Sequence, residues 1–515
     1  MLKPFAASGN RLSRWGRHLL TLLFLIAILL SSQQFADTAN QQLIWIVTAL
    51  LGAYMALNIG ANDAGNNIGP LVGSRVISLV SAVLLAGLFE AAGAFLAGGE
   101  VISTIGGGIV EPSLMADSES VVCIMLSALL AGGLWLHIAT LTGTPVSTTH
   151  SIVGGVVGGA AASGGIGMVD WQSIAAISSS WVFSPLLGGI IAAVFLYLIK
   201  RTITYQRHMT LAASRVLPLL VGLMTWSFTS YLLFKGLKAS WRVDFTTAIV
   251  SGLLIGLGIY LIIKPILSQR TALLPNTKSA VNRLFNIPLL LAAGLLSFAH
   301  GSNDVANAIG PVIAIQQALI SQATPPLESM IHWPILIGAL GIPLGLMLYG
   351  RRLVETIGSG ITELDQVRAF CIVISVTVTV LLASQFGLPV SSTHIAVGAI
   401  FGIGFLRERL KANYAVLLEE VRRSQQGHTS ADIDSYMRRF EHASFNEKGR
   451  MLEDLEKTEQ ATDLDAKERK ALQKLYRQAL VERSAMKRIL MAWFLTLPAT
   501  GILAAVICTL MAGTI

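Results

Sequence analysis

Two short polar motifs lie among apolar residues, one in each half of the chain. The first, residues 60–70, reads GANDAGNNIGP, and the second, residues 301–311, reads GSNDVANAIGP. Each motif brings one aspartate and several asparagines into a stretch that is otherwise apolar. Carboxylate and carboxamide oxygens are the ligands that small hard cations prefer. The two motifs therefore predict a pair of cation sites.

One further acid belongs with these motifs. Glu90 lies in the apolar run 81–97, where an isolated carboxylate is costly unless it pairs with another group or titrates. Two interpretations are open for it: a cation ligand or proton carrier, or a structural polar contact between helices. The predicted cation-binding residues are Asp63, Asn66, Asp304, Asn307 and Glu90. If the cation is sodium, Asp63 and Asp304 are its expected metal ligands.

A second pair of motifs is rich in hydroxyl groups. Residues 143–150 read GTPVSTTH and residues 387–394 read GLPVSSTH. A proline near a helix start, followed by hydroxyls in the first turn, leaves backbone N–H groups that attract anions. The alternative is that the hydroxyls only cap their helices, but the repetition beside two Asn-Asp motifs favours an anion site. The predicted substrate-binding residues are Ser147, Thr148, Thr149, Ser391, Ser392, Thr393, Asn62 and Asn303.

The chemistry that these residues can perform is binding. Neither pair of motifs contains Arg or Lys, so the charge of a bound anion must be balanced by cations, which predicts co-transport. The chain shows no nucleophile–base pair, so we predict no catalytic residue, no enzyme activity and no cofactor other than the co-transported ion. His150 and His394 end the hydroxyl motifs, and His300 precedes the second Asn-Asp motif. All three are interpreted as packed, hydrogen-bonded residues, with a proton relay as the alternative.

Composition indicates the membrane elements that must position these residues. Hydrophobic residues make up 53% of the chain, charged residues only 13%, and the mean hydropathy is +0.65. Apolar stretches long enough to cross a bilayer recur along the chain, so it is a multi-pass membrane protein. The net charge of +8 comes from basic loops, which favours cytoplasmic retention of those loops over nucleic-acid binding. The three cysteines have no CxxC spacing and are predicted to be packing residues.

The order of the segments predicts two inverted repeats. About six crossings separate the two Asn-Asp motifs, and an even number turns the second motif upside down relative to the first. The predicted segments are 1–40, a hydrophobic extra helix or signal peptide; 41–210, the first repeat; 211–285, linking helices; 286–406, the second repeat; 407–488, a charged soluble helical insert; and 489–515, the final transmembrane helix. Lys235 does not fit this topology, because the crossings put it on the outer side.

With both pairs of motifs in this order, the chain resembles the inorganic phosphate transporter (PiT) family. The family signature GANDVANA is similar to residues 60–67 and 301–308, and the PVS-T/S-TH signature to residues 145–150 and 389–394. The resemblance implies an all-α, polytopic inverted-repeat bundle of about 12 core transmembrane helices, with two broken helices and two re-entrant-type hydroxyl-rich helix starts. It also implies that the Asn-Asp and hydroxyl motifs supply the phosphate and cation ligands.

The function implied by the resemblance is symport of inorganic phosphate with Na⁺ or H⁺, with the anion bound near the midplane between the repeats. A homodimer in the cell membrane, the inner membrane in a bacterium, is the expected setting. One departure concerns the helix before the second hydroxyl motif: residues 369–385 lack the acid that some members carry there, so the identity of the cation stays open. A sulfate permease of the same fold is the alternative.

Overall fold

The computed structural model describes residues 14–32, 39–110, 118–236, 243–320, 332–354, 364–424 and 483–512. Within these ranges the chain is helical, and no strand occurs. The helices are α1 (Arg14–Ser32), α2 (Ala39–Gly73), α3 (Leu79–Ala97), α4 (Gly99–Gly107), α5 (Ser118–Thr142), α6 (Thr148–Gly164), α7 (Trp171–Ile199), α8 (Met209–Tyr231), α9 (Phe245–Ala272), α10 (Lys278–Leu284), α11 (Asn286–Ile320), α12 (His332–Tyr349), α13 (Gln366–Gln385), α14 (Ser392–Ser424) and α15 (Arg483–Met511).

The apolar lengths of these helices agree with a multi-pass membrane protein. Ten helices of the described residues are long and apolar enough to cross a bilayer, or up to eleven if the bent pair of α10 and α11 is one span. Large apolar side chains of α7 and α9, such as Phe183 and Leu254, are exposed on the outside of the bundle. That exposure is expected where the surrounding solvent is lipid. Most of the predicted insert 407–488 lies outside the described residues.

The two Asn-Asp motifs do not break their helices, which corrects the expectation of broken helices. Both motifs lie inside continuous 35-residue helices, α2 and α11. Each motif ends with a proline in the interior of its helix, Pro70 in α2 and Pro311 in α11. Such a helix is roughly 52 Å long at about 1.5 Å per residue. The polar side chains do not force an unwound segment, because residues of other helices form hydrogen bonds with some of their polar groups, such as Thr393 with Asp63.

Helices α2 and α11 cross in opposite directions. A Cβ on Gly52 of α2 would contact Val312 of α11, whereas Asp63, further along α2, lies beside His300, an earlier residue of α11. The two helices are therefore antiparallel. The glycines that open the motifs allow close packing: a Cβ on Gly60 would strike the backbone of Ile342 in α12, and one on Gly301 the backbone of Glu90 in α3. Each motif helix thus packs against a helix of the other half.

The hydroxyl motifs each begin a helix after a tight turn. Gly143 and Gly387 have φ of 74° and 65°, a left-handed conformation that strongly favours glycine. The helices that follow, α6 and α14, pack closely through further glycines. A Cβ on Gly158 of α6 would strike the backbone of Gly501 in α15, and one on Gly402 of α14 the backbone of Gly189 in α7. These contacts hold the helix starts in register.

Two contacts bear on the ends of the bundle. The N-terminal helix α1 packs beside α12, where Thr21 Oγ1 lies 2.8 Å from the Tyr349 hydroxyl. Lys235, which did not fit the predicted topology, forms an ion pair with Glu100 at 2.9 Å. The negative charge of Glu100 therefore compensates the positive charge of Lys235 on the acid-rich side of the bundle.

Candidate functional site

All four polar motifs meet at one buried cluster. The start of α14 reaches α2, where Thr393 donates a hydrogen bond to Asp63 (Oγ1–Oδ1 2.9 Å). Asn66 donates to the same hydroxyl at 2.7 Å and to Asp63 Oδ1 at 3.0 Å. All three side chains are at most 1% exposed. A hydroxyl of the second half therefore bonds directly to the carboxylate of the first.

The start of α6 makes the corresponding contacts with α11. Asn307 Nδ2 lies 3.3 Å from the hydroxyl oxygens of both Thr148 and Thr149. The second aspartate is bound from its own half, because Ser392 donates to Asp304 Oδ2 at 2.8 Å. The predicted anion donors and the predicted cation ligands are thus hydrogen-bonded to each other.

His300 joins the three buried acids. Its Nδ1 lies 3.0 Å from Glu90 Oε1, and its Nε2 lies 2.8 Å from Asp304 Oδ2 and 3.6 Å from Asp63 Oδ2. A neutral imidazole has one N–H, so if Nδ1 donates to Glu90, the Nε2 lone pair faces two carboxylates. That arrangement is repulsive unless a positive charge lies between them, either a proton on His300 or a metal cation.

Glu90 is drawn into the same cluster from α3. Its Oε1 also accepts a hydrogen bond from Asn67 Nδ2, so the carboxylate is held by one residue of α2 and one of α11. Its side chain is 1% exposed. Glu90 therefore connects the two helices that carry the Asn-Asp motifs.

The first asparagine of each motif binds backbone. Asn62 Oδ1 accepts from Val146 N (3.2 Å) and its Nδ2 donates to Thr144 O (3.4 Å). In the other half, Asn303 Oδ1 accepts from Val390 N (3.3 Å) and its Nδ2 donates to Leu388 O (3.2 Å). Each asparagine fastens the segment on both sides of the motif proline. Both predicted substrate ligands thus have their amide groups engaged in positioning the start of a hydroxyl helix.

Ser147 and Ser391 cap their helices. Ser147 Oγ accepts from His150 N at 3.0 Å, and Ser391 Oγ accepts from His394 N at 3.2 Å. This is the usual N-cap geometry, in which the side-chain oxygen satisfies an N–H of the first turn. The sequence left open capping or anion binding for these hydroxyls. Ser147 and Ser391 cap their helices, and the two hydroxyl residues that follow each of them face the cluster.

Several oxygens of the cluster lack a donor. The buried acceptor atoms without a hydrogen-bond partner are Asp63 Oδ2, Asp304 Oδ1, Asn66 Oδ1, Asn307 Oδ1, Asn67 Oδ1 and Glu90 Oε2. Buried oxygens are normally paired, because an unpaired one loses its hydration without replacement. Ligand atoms of Asp63, His300 and Asp304 all lie within 4.8 Å of one another, a spacing that fits a metal ion. The donor set suits a hard cation.

Charge balance supports the same conclusion. Three carboxylates are buried in the cluster, and no Lys or Arg occurs among the buried residues that the structure describes. Even a protonated His300 would leave an excess of negative charge. Uncompensated charge is expensive in a region of low polarity, so a small anion could enter only with cations.

The histidines that end the hydroxyl motifs face each other. The ring centroids of His150 and His394 are 4.5 Å apart, and Trp181 and Trp493 pack on their outer sides at 3.9 Å and 3.6 Å. This aromatic stack agrees with the packing predicted for these two histidines, but both ring nitrogens of His150 and Nε2 of His394 lack the predicted hydrogen bonds. His300 differs, and sequence reasoning undervalued it; its position four residues before Asp304, on the same helix face, was the available signal.

Comparisons with known proteins show which family the chain is similar to. The sequence model of the Phosphate transporter family matches residues 59–504. A protein of Helicobacter pylori strain J99 named "Putative phosphate permease" is 46% identical, with 98% of this chain and 97% of that protein covered. A Haemophilus influenzae protein of the same name is 39% identical over 73% of this chain and 90% of its own length. A solved structure titled "The sodium-dependent phosphate transporter" superimposes with a TM-score of 0.72 at 29% identity, covering 92% of this chain and 100% of that one.

Proposed function

The chain belongs to the Phosphate transporter family, and on that premise we propose that it is a secondary active symporter that carries inorganic phosphate with sodium ions. The family is a class of membrane transporters without enzyme activity. The observation that carries the proposal is the cluster of three buried carboxylates with unpaired acceptor oxygens beside two hydroxyl-rich helix starts. Sodium dependence is a stated property of the similar solved transporter, and the oxygen-rich donor set is compatible with it.

Cations bind first in this mechanism. Asp63 and Asp304 supply carboxylate oxygens, Asn66 and Asn307 supply amide oxygens, and His300 and Glu90 complete the polar surroundings. Pro70 and Pro311 lack an N–H, so the backbone carbonyls of Asn66 and Asn307, four residues earlier, have no helical donor. Those carbonyls are further candidate ligands. Cation binding relieves the repulsion among the carboxylates.

The hydroxyls couple cation binding to anion binding. Ser392 and Thr393 donate to Asp304 and Asp63. A hydroxyl has one proton, so it cannot donate to a carboxylate and to phosphate at the same time. A cation that takes over the carboxylate oxygen frees the hydroxyl to rotate toward phosphate. Thr148 and the N–H groups of the helix starts add further donors. Thr149 can join them only if it releases Val390 O, to which it donates at 2.9 Å.

This competition gives a physical reason for obligatory co-transport. Without cations, the donors are held by the carboxylates and the surrounding charge repels an anion. With cations, both obstacles are removed together. Access then alternates between the two sides of the membrane around the closely packed motif helices.

Uptake of labelled phosphate into proteoliposomes under separately imposed sodium and proton gradients tests the proposal. Accumulation is expected under an inward sodium gradient at equal pH on both sides. Accumulation driven only by a proton gradient would show that the coupling ion is the proton and not sodium. Flux without any cation gradient would indicate an anion channel. Excess sulfate is expected to leave uptake unchanged; full competition would favour the sulfate alternative.

We also propose that the transporter works as a homodimer in the cell membrane, the inner membrane if the source is bacterial. The family resemblance supports this proposal. Light scattering of the detergent-purified protein measures the mass of the complex, and a mass of one chain would contradict it.

A further inference from the structure

Two cysteines that lie far apart in sequence are in contact. Cys123 near the start of α5 and Cys508 near the end of α15 are 385 residues apart, yet their sulfur atoms lie 2.6 Å from each other. Cys123 Sγ is also 3.3 Å from the backbone oxygen of Cys508. The distance is shorter than two unbonded sulfur atoms normally adopt and exceeds the roughly 2.05 Å of a disulfide bond by little. A small movement of either side chain would bring the sulfurs to bonding distance.

Both cysteines lie toward the same side of the membrane. Helix α5 has the acidic Glu119 in its first turn and ends beside Arg352, which donates to the carbonyl of Leu141. Helix α15 begins in a basic stretch that includes Lys487, and Cys508 lies near its other end. Basic ends of membrane helices face the cytoplasm. The two cysteines therefore lie near the opposite, exoplasmic side, where disulfides form and persist.

We propose that Cys123 and Cys508 form a disulfide that joins the last helix to the first repeat. The partner in the reaction is a disulfide-bearing thiol oxidoreductase of the exoplasmic compartment. Two thiols and its disulfide RSSR give Cys123–S–S–Cys508 and two RSH: one S–S bond forms, one breaks, and two electrons and two protons pass from the cysteines to the oxidoreductase. The cysteines are 6% and 1% exposed, so the reaction takes place as α15 docks, before packing closes access.

The bond would hold a helix that touches the candidate site. Helix α15 packs on α6 through Gly501 and Gly158, and its Trp493 stacks on His394 at the start of α14. The chain reaches α15 only after the charged insert, so α15 has no short covalent tie to the helices it contacts. The disulfide supplies one, and it is independent of whether phosphate or another anion is carried.

Counting thiols in the denatured protein tests the proposal. Cells expressing the full chain are quenched with acid to stop thiol exchange, and the protein is denatured and labelled with a maleimide-polymer that adds one mass step per thiol. The chain has three cysteines, so one step is expected without reductant, from Cys371, and three after reduction. Cys371→Ser is the matched control, for which no step is expected before reduction. Three steps in the untreated wild type would overturn the proposal.

A cleavage experiment gives a second readout. A specific protease site inserted between residues 425 and 482 separates α15 from the rest of the chain. After cleavage, the two fragments are expected to migrate together on a denaturing gel without reductant and apart with it. In Cys123→Ser or Cys508→Ser they are expected to separate in both conditions. Separation of the wild-type fragments without reductant would also overturn the proposal.

Discussion

Asp63 and Asp304 combine complete burial with an unpaired oxygen each. A structural carboxylate in an apolar region normally has every oxygen paired. Both aspartates instead lie beside His300. Each also accepts a hydrogen bond from a hydroxyl of the second hydroxyl motif, Asp304 from Ser392 and Asp63 from Thr393. At the scale of single residues, this arrangement supports the proposal that both aspartates are cation ligands.

Replacing either aspartate by asparagine removes this charge and retains the shape. We expect Asp63→Asn and Asp304→Asn each to reduce cation-driven phosphate uptake by about tenfold or more, because a charge-assisted contact is worth about 1.5–3 kcal/mol and each 1.4 kcal/mol is tenfold. Proteoliposome uptake at equal protein content measures the effect. Asp170→Asn is the control, since Asp170 caps α7 outside the cluster and asparagine caps equally well. Normal uptake in both site variants would remove these residues from the mechanism.

Thr393 is the hydroxyl that links the two halves most directly. In Thr393→Val the shape is similar but the donor to Asp63 and the acceptor from Asn66 are lost. We expect the phosphate KM to rise roughly tenfold, since a hydrogen bond to a charged group is worth about 1.5–3 kcal/mol.

Thr377→Val is the matched control for that substitution. Its hydroxyl is equally buried but donates only to Val373 O within its own helix. Initial uptake rates over a range of phosphate concentrations give KM for both variants. Equal KM values in the two would show that the Thr393 hydroxyl does not bind the anion.

At the scale of elements, the hydroxyl helices depend on the asparagines that open the Asn-Asp motifs. Asn62 holds the backbone on both sides of Pro145, and Asn303 does the same around Pro389. The equivalent bonds in the two halves explain why an asparagine precedes the aspartate in both motifs. The starts of α6 and α14 are positioned by α2 and α11, so each motif helix both carries ligands and orients the donors opposite them.

Breaking this attachment is expected to destabilise the protein as well as slow transport. In Asn62→Ala or Asn303→Ala, a buried backbone N–H loses its partner, which costs about 1–3 kcal/mol. We expect a lower Tm in detergent together with a lower uptake rate. Asn58→Ala is the control from the same helix, because the hydrogen bond that Asn58 donates stays within α2, to Tyr54 O one turn earlier. A Tm and an uptake rate equal to those of the control would contradict a positioning role.

At the scale of the whole molecule, helices of each half of the chain pack between helices of the other half. Helix α2 packs on α12 of the second half, and α11 packs on α3 of the first, in both cases through glycines that let backbones touch. Small residues are the usual means of close helix packing in membranes. The cluster therefore cannot form in one half alone, and a transport motion must move helices of both halves together.

The charged segment between the second repeat and α15 is expected to be dispensable. Its composition, rich in charged residues, is that of a soluble appendage. We expect deletion of residues 425–482, with a flexible linker in their place, to leave basal uptake within about twofold of the full chain. Surface expression measured in parallel separates a transport defect from failed insertion. Loss of uptake in a correctly inserted protein would give the segment an essential role.

Much of this protein could be predicted from the chain alone. Composition determined the membrane setting, because residue type is enough for that. The paired motifs predicted which residues would bind ions, and the uptake measurements on the variants above test that prediction. The parity of the crossings predicted the opposed directions that α2 and α11 show in their contacts.

Other features required the tertiary structure. The Asn-Asp helices remain continuous, against expectation, and some of their polar groups bond to residues of distant helices, partners that no local rule contains. The division of the hydroxyls into caps and cluster donors, the role of His300 between three acids, and the meeting of Cys123 with Cys508 likewise depend on contacts between residues far apart in sequence. The spacing of the motifs indicates which groups could bind ions. Only the packing of the helices decides which of those groups come into contact.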